Sequence, residues 1–206
     1  MSGIVYVVDD DASFRTALRR QLETIGYRVV TFASAEQFLE QRSNENEPGC
    51  ILLDMRMPGL SGPALQSRLA EAGSMLPILF LTGYTDVSTT VQAIKAGADD
   101  FLIKPVTSDR LHSAIERALE RHRTSLGAKR EGDILRDRFA TLTAREQQVF
   151  ALVVRGKLNK QIAHELGTVE RTIKAHRSRV MEKMEARTLL ELVSFAERLG
   201  ISERKG

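Results

Sequence analysis

Four charged side chains stand where short apolar runs of the sequence end, and together they could bind a metal ion and a phosphoryl group. Asp54, Asp9, Asp10 and Lys104 each follow such a run. The runs cover residues 50–53, 4–8 and 101–103. Open α/β folds place their chemistry at the carboxyl ends of parallel strands. Two acidic strand ends and one basic strand end therefore indicate a site for a divalent metal and phosphoryl transfer.

These residue types suit that chemistry. Mg²⁺ prefers one or two carboxylates together with water and phosphate oxygens. A dication also relieves the repulsion between crowded carboxylates. Asp54 could then attack a phosphoryl donor as a carboxylate nucleophile, while Lys104 holds a phosphoryl oxygen as a point charge. Thr82, at the end of a fourth apolar run, adds a hydroxyl at the same edge.

The elements that must position these side chains alternate along the first 120 residues. Apolar runs separated by amphipathic segments predict a doubly wound, five-stranded parallel sheet. The predicted strands are 4–8, 28–32, 50–53, 77–82 and 100–103. The predicted helices are 12–25, 34–42, 62–72, 87–97 and 108–125. Gly127 and Gly132 weaken the helical pattern beyond that point, so we place the linker there, as either a solvated connector or a helical stalk.

The remaining segment has no strand pattern and predicts an all-α, four-helix domain. A capping box, Thr143 to Glu146, opens the first helix, and the last two helices are expected over 170–184 and 188–198. Residues 159–184 follow a helix, tight turn, helix pattern whose second helix has one apolar and one basic face. Such a helix suits the DNA major groove, and the alternative is a solvated amphipathic helix.

Charge and composition separate the two halves. Residues 1–120 contain 11 Lys or Arg and 16 Asp or Glu, a net charge of −5, whereas residues 140–206 contain 13 and 8, a net charge of +5. An acidic half fits a metal site and a basic half fits an anionic polymer. The single cysteine, Cys50, excludes an internal disulfide. Without a membrane-length apolar run or a leader pattern, the expectation is a cytoplasmic protein with no membrane partner.

The first 120 residues resemble the receiver domain of two-component response regulators, a sheet of the flavodoxin/CheY-like type. The resemblance is carried by Val8-Asp9-Asp10-Asp11, residues 54–62, Leu81-Thr82-Gly83, residues 93–97 and Lys104-Pro105. It implies that a partner sensor histidine kinase phosphorylates Asp54. It also implies Mg²⁺ binding by Asp10, Asp54 and the backbone carbonyl of Arg56, with Asp9 acting through water. Thr82 and Phe101 would form the switch, and Lys104 would be the lysine of the site.

The basic half resembles the LuxR-type helix-turn-helix, and the whole chain resembles the FixJ branch of the NarL/FixJ regulators. The resemblance is carried by residues 142–146, Asn159-Lys160, Leu166-Gly167, residues 171–174 and His176. By position, the side chains expected to face bases are Lys174, Ala175 and Ser178. Those expected to contact phosphates are Lys160, Arg171, Thr172, His176, Arg177 and Arg179. The last helix would dimerise on double-stranded DNA.

Together these features predict a transcription regulator and not an enzyme. The resemblance implies that it forms a homodimer on phosphorylation and activates its targets, as FixJ-like proteins usually do. The predicted domains are 1–120, a linker over 121–139, and 140–206. One alternative is a haloacid-dehalogenase-like phosphatase or phosphomutase, which needs a second aspartate two residues after the nucleophile, where Arg56 stands. Another is an RNA-binding or protein-binding output, but the basic helix lacks the aromatic platform expected for single-stranded RNA.

Overall fold

The computed structural model describes residues 3–41, 46–83 and 97–201 of the 206-residue chain. Its five strands are β1 (Ile4–Val8), β2 (Arg28–Phe32), β3 (Gly49–Asp54), β4 (Ile78–Thr82) and β5 (Asp100–Ile103). All pair in parallel, in the order β2-β1-β3-β4-β5. This is the flavodoxin-like order. The predicted sheet is confirmed, with strand ends within one residue of those expected.

The strand register brings the chemically active ends to a common edge. Val8 pairs with Leu53, Asp54 with Leu81, and Thr82 with Ile103. All six residues of β3 are buried, because helices cover both faces of a parallel sheet. The residues that end or follow β1, β3, β4 and β5 therefore share one rim.

Within the described residues, four helices belong wholly or partly to this first half: α1 (Ala12–Ile25), α2 (Ala35–Gln41), α3 (Gly62–Glu71) and α4 (Ser108–Ala140). One apolar cluster packs the sheet against α1 and α4, and a second packs it against α2 and α3. Gly26 ends α1 at a φ of 99°, a left-handed conformation that glycine adopts without steric cost. The helix predicted over 87–97 lies outside the described residues, except for Gly97.

Helix α4 is longer than the sequence pattern predicted. It was expected to end near residue 125, but it continues to Ala140 through Gly127 and Gly132. A glycine costs a helix only about 1 kcal/mol, and packing on either side outweighs it. His122 is buried and accepts a hydrogen bond from the Gly49 backbone N–H at 3.0 Å. Leu135 is buried in the core of the second half. The two compact units divide between Gly127 and Ala128.

The second unit confirms the predicted four-helix arrangement. Its helices are α5 (Ala144–Val154), α6 (Asn159–Glu165), α7 (Glu170–Lys183) and α8 (Leu189–Arg198). Val149, Phe150, Ile162, Ile173 and Val180 are buried at its centre. No described helix combines the length and the apolar character needed to span a bilayer.

A partly buried ion pair fixes α5 to the end of α7. Glu146 completes the predicted capping box, since its carboxylate accepts a hydrogen bond from the Thr143 backbone N–H at 2.9 Å. Lys183 donates to the same carboxylate oxygen at 2.7 Å and to the Thr141 carbonyl at 3.0 Å. The Lys183 ammonium and the Thr143 N–H together lower the pKa of Glu146 to about 2.

Glu146→Gln is expected to destabilise the second unit by about 1.5–3 kcal/mol near neutral pH, because the charge-assisted hydrogen bonds weaken and Lys183 loses its buried partner. The pKa of Glu146 is about 2 in the folded chain, against an ordinary value of 4.5. The stabilisation is therefore fully present above about pH 4.5 and is lost as the pH falls towards 2. Thermal unfolding of the two proteins at several pH values measures the difference.

The matched control is Glu182→Gln, one residue from Lys183 on the exposed side of α7, which should change stability by under about 0.5 kcal/mol. A Glu146→Gln penalty that persists undiminished at pH 2 would contradict the role of the carboxylate charge.

Candidate functional site

Three of the predicted site residues meet at the carboxyl rim of the sheet. Asp9 follows β1, Asp54 ends β3 and Lys104 follows β5. The Lys104 ammonium donates to Asp9 Oδ2 at 2.5 Å and to Asp54 Oδ1 at 2.7 Å. Asp9 is 1% exposed and Asp54 is 8% exposed. Two buried carboxylates thus share one cation, which offsets the cost of removing their charges from water.

A cavity of about 280 Å³ opens beside Asp54. It is lined by Asp54, Met55, Arg56, Thr82, Gly83 and Lys104. Because a water molecule takes up about 30 Å³ in the liquid, the cavity has room for a phosphoryl group with a few ligated waters. Thr82 is 8% exposed at the end of β4, so its position on this rim agrees with the expectation from the sequence.

Burial and charge act in opposite directions on the ionisable groups of this rim. Burial raises the pKa of Asp54, the hydrogen bond from Lys104 opposes it, and the net result is a raised pKa. Burial lowers the pKa of Lys104, but the Asp54 and Asp9 carboxylates outweigh it and the pKa rises. Lys104 therefore stays protonated. A site that holds excess negative charge in low dielectric favours an additional cation.

The loop after β3 is tied back to the rim at several points. The Arg56 N–H donates to Asp54 Oδ2 at 2.9 Å, and the Gly62 N–H donates to the Met55 carbonyl at 3.3 Å. Glu36, on α2, accepts from the Leu60 N–H at 2.8 Å. These bonds hold the Arg56 backbone beside the phosphoacceptor candidate.

The oxygen donors at this rim suit Mg²⁺, although they do not form a carboxylate cage. Among the described residues, no three His, Cys, Asp or Glu side chains are close enough together to hold a metal. Asp10 is exposed and does not line the cavity. Mg²⁺ needs only one or two carboxylates, however, and completes its shell with water and phosphate oxygens. The carboxylate of Asp54 lines the cavity and can supply one such ligand, and the buried carboxylate of Asp9 shares the Lys104 ammonium with it.

Phe101 lies on the other side of β5 from the strand's buried Leu102. Its ring stacks on that of Phe80, with 5.1 Å between centroids, and is half-buried. Phe101 does not line the cavity. The switching movement predicted for Phe101 would therefore take place outside the cavity beside Asp54.

Two residues at this site were missed by the sequence analysis. The Phe14 ring lies against the Lys104 ammonium, 4.1 Å from centroid to Nζ. Arg15 donates to the Asp9 carbonyl at 2.5 Å. Phe14 repeats at four-residue spacing with Leu18 and Leu22, which marks it as core in the sequence. Its contact with Lys104, 90 positions away, leaves no pattern in the sequence around Phe14.

The second candidate site is the helix-turn-helix formed by α6 and α7. Gly167 turns the chain between them at a φ of 61°, where a side chain would be strained. Ile173 and Val180 bury one face of α7. The opposite face carries the exposed residues Arg171, Lys174, Ala175, Ser178 and Arg179. Lys160 is exposed on α6.

The other candidate DNA contacts are less accessible. Thr172, His176 and Arg177 are half-buried. Arg177 donates to Asn159 Oδ1 at 3.2 Å and so connects α7 to the start of α6. Lys174 Nζ lies 3.6 Å from Glu170 Oε1, an exposed pair one helical turn apart. Such a pair is weak and leaves Lys174 available to another acceptor.

Family models match two separate segments of the chain. Residues 5–116 match the model of the response regulator receiver domain, and residues 140–196 match that of the bacterial regulatory proteins of the luxR family. Together the two models span most of the chain.

Individual relatives match the chain along nearly its whole length. Nodulation protein W of Bradyrhizobium diazoefficiens is 45% identical over 97% of this chain and 88% of its own length. The transcriptional regulatory protein FixJ of the same organism is 40% identical over 97% of this chain and 97% of its own length. The solved structure of the response regulator StyR is 45% identical, with a TM-score of 0.85 over 96% of this chain and 100% of that one.

Gly62→Ala is expected to disturb the rim, because a Cβ there would press into the Asp54 carbonyl oxygen and lie 3.0 Å from Phe80 Cε1. Neither neighbour can move freely in a packed core, so the free energy of unfolding should fall by about 1–3 kcal/mol. The control is Gly83→Ala on the same cavity, whose Cβ meets no described atom within 4 Å. Equal denaturation midpoints for the two variants would contradict this reading.

Proposed function

The chain belongs to the response regulators that join a receiver domain to a LuxR-type DNA-binding domain, and from this premise we propose that phosphorylation of Asp54 by a partner sensor histidine kinase controls its binding to double-stranded DNA. The observation that carries the proposal is the ammonium of Lys104, held 2.5 Å from Asp9 and 2.7 Å from Asp54 at the rim of the sheet. This arrangement places a nucleophile candidate, a cation and a second carboxylate beside one cavity.

In the proposed reaction, a carboxylate oxygen of Asp54 forms a bond to phosphorus as the P–N bond of the kinase phosphohistidine breaks. Lys104 binds a phosphoryl oxygen and Thr82 donates its hydroxyl to another. Asp10, Asp54 and the Arg56 carbonyl would hold Mg²⁺, with Asp9 acting through water. The bound Mg²⁺ supplies positive charge that neutralises the phosphoryl oxygens. Positioning and charge are enough for this transfer, so no further catalytic group is needed.

The added phosphoryl charge would bias a two-state element. Thr82 would turn towards the phosphoryl group, and Phe101 would follow into the space that it leaves. The altered receiver surface would then favour a homodimer. A dimer presents two copies of α7 to a two-fold DNA site, with α8 completing the contact between protomers.

We assign the receiver to residues 1–120, a helical stalk to 121–139 and the DNA-binding domain to 140–206. On DNA, Lys174, Ala175 and Ser178 would face bases. The phosphate contacts would be Lys160, Arg171, Thr172, His176, Arg177 and Arg179. The protein would act in the cytoplasm as an activator of transcription, and not as an enzyme.

Light scattering with Mg²⁺ and beryllofluoride, which mimics the phosphoryl group, is expected to show a monomer becoming a dimer. DNA binding should tighten in parallel. Asp54→Asn should show neither the dimerisation nor the tighter DNA binding, because it lacks the nucleophilic carboxylate.

A mass that stays the same with and without beryllofluoride, combined with unchanged DNA binding, would contradict phosphorylation control. A constant dimer whose DNA affinity still rises would instead place the switch in the stalk and not in assembly.

Lys174→Ala and Arg179→Ala are expected to affect DNA binding differently. Lys174→Ala should cost about 1–3 kcal/mol at one base position and relax the sequence preference there. Arg179→Ala should weaken binding to all sequences and flatten its dependence on salt. Titrations of each protein against a cognate duplex and single-base variants, at several salt concentrations, measure both effects. The same loss on every duplex for both variants would refute this division of roles.

A further inference from the structure

We propose that Phe14 is a positioning residue that holds the Lys104 ammonium beside the phosphoryl cavity, a role that rests on the function proposed for Asp54. The side chain of lysine is a flexible stem with a compact, strongly hydrated charge. Two carboxylates alone leave part of that charge open to water. The Phe14 ring covers it, 4.1 Å from centroid to Nζ.

The position of the ring is itself well determined. The Phe14 backbone N–H donates to the Asp11 carboxylate at 3.0 Å, in the first turn of α1. The side chain packs, partly buried, against the apolar cluster between the sheet and α1. Phe14 is thus anchored by a helix cap at one end and by the core at the other, while Lys104 follows the end of β5.

The contact between the Phe14 ring and the Lys104 ammonium is a cation–π interaction. The face of an aromatic ring is negative and attracts an ammonium, the more so where water is excluded. The Lys104 side chain is 21% exposed. Of the three N–H bonds of an ammonium, the Asp9 and Asp54 carboxylates accept two. The ring therefore completes a three-sided holder around Nζ.

The Phe14 ring contributes most to holding Lys104 when a metal ion binds the Asp54 carboxylate. A dication at Asp54 competes with the ammonium for the same oxygens and repels it. Phe14 carries no net charge, so it continues to attract the ammonium in that state. Lys104 would then remain at the rim, ready to bind a phosphoryl oxygen, and would not swing into water.

The test compares Phe14→Leu, which keeps an apolar side chain but removes the ring face, with Phe14→Tyr, which keeps the face. Calorimetric titration of the full chain measures the affinity for Mg²⁺ alone and then for beryllofluoride in saturating Mg²⁺. For Phe14→Leu we expect beryllofluoride affinity to fall about three- to tenfold and Mg²⁺ affinity to stay within about twofold, since Phe14 supplies no ligand to the metal. Phe14→Tyr should restore the wild-type values.

A second measurement uses a protein that lacks the Lys104 ammonium. In a Lys104→Met background, Phe14→Leu should change beryllofluoride affinity by less than about twofold, because no ammonium remains for the ring to hold. Melting temperatures of all variants show whether each protein is folded.

The outcomes separate the two claims. If the wild type binds no beryllofluoride, the phosphoryl site itself is wrong, and this role for Phe14 falls with it. If the wild type binds and Phe14→Leu matches it, only the positioning role is overturned. A parallel loss of Mg²⁺ and beryllofluoride affinity, or the same effect with and without Lys104, also overturns positioning in favour of general damage to the rim.

Discussion

The ammonium of Lys104 is the cation on which the acidic rim depends. Asp9 and Asp54 are both buried and both acidic, and positive charge between such a pair allows both carboxylates to stay ionised. Lys104 provides that charge from β5, across the sheet from β1 and β3. The strand order, the parallel register and the tethered loop after Asp54 all serve to bring two carboxylates, far apart in sequence, within 3 Å of the Lys104 nitrogen.

Much of this arrangement could be predicted from sequence, for a simple physical reason. Strands buried on both faces are continuous apolar runs, so a charged residue at the end of a run marks a rim position. The five strands, Asp9, Asp54 and Lys104 were identified in this way. What could not be predicted depends on long-range contacts. Helix α4 continues through two glycines because packing on either side stabilises it, and the contact between Phe14 and Lys104 joins residues 90 positions apart in the sequence.

The DNA-binding unit shows a different limit of sequence reasoning. The four helices and the capping box follow from local patterns, and those were confirmed. The partners of individual basic side chains do not. Lys183 and Arg177 belong to the same basic helix as Lys174, yet Lys183 is paired with a buried glutamate and Arg177 is bonded to Asn159. Charge on a helix shows that an anion can be bound, and only the packing shows which charges already have an internal partner.

The division of labour along α7 also has an evolutionary consequence. The residues that stabilise this helix, Ile173, Val180 and Lys183, occupy a different stripe from Lys174, Ala175 and Ser178, which project from the exposed side. Mutations on the exposed stripe therefore carry little penalty in folding. Since we propose that these three residues face bases, a few such changes in a duplicated copy of the gene would shift its target promoters while its fold and its input domain stayed intact. The same separation makes this helix a practical scaffold for selecting altered operator preference in a library.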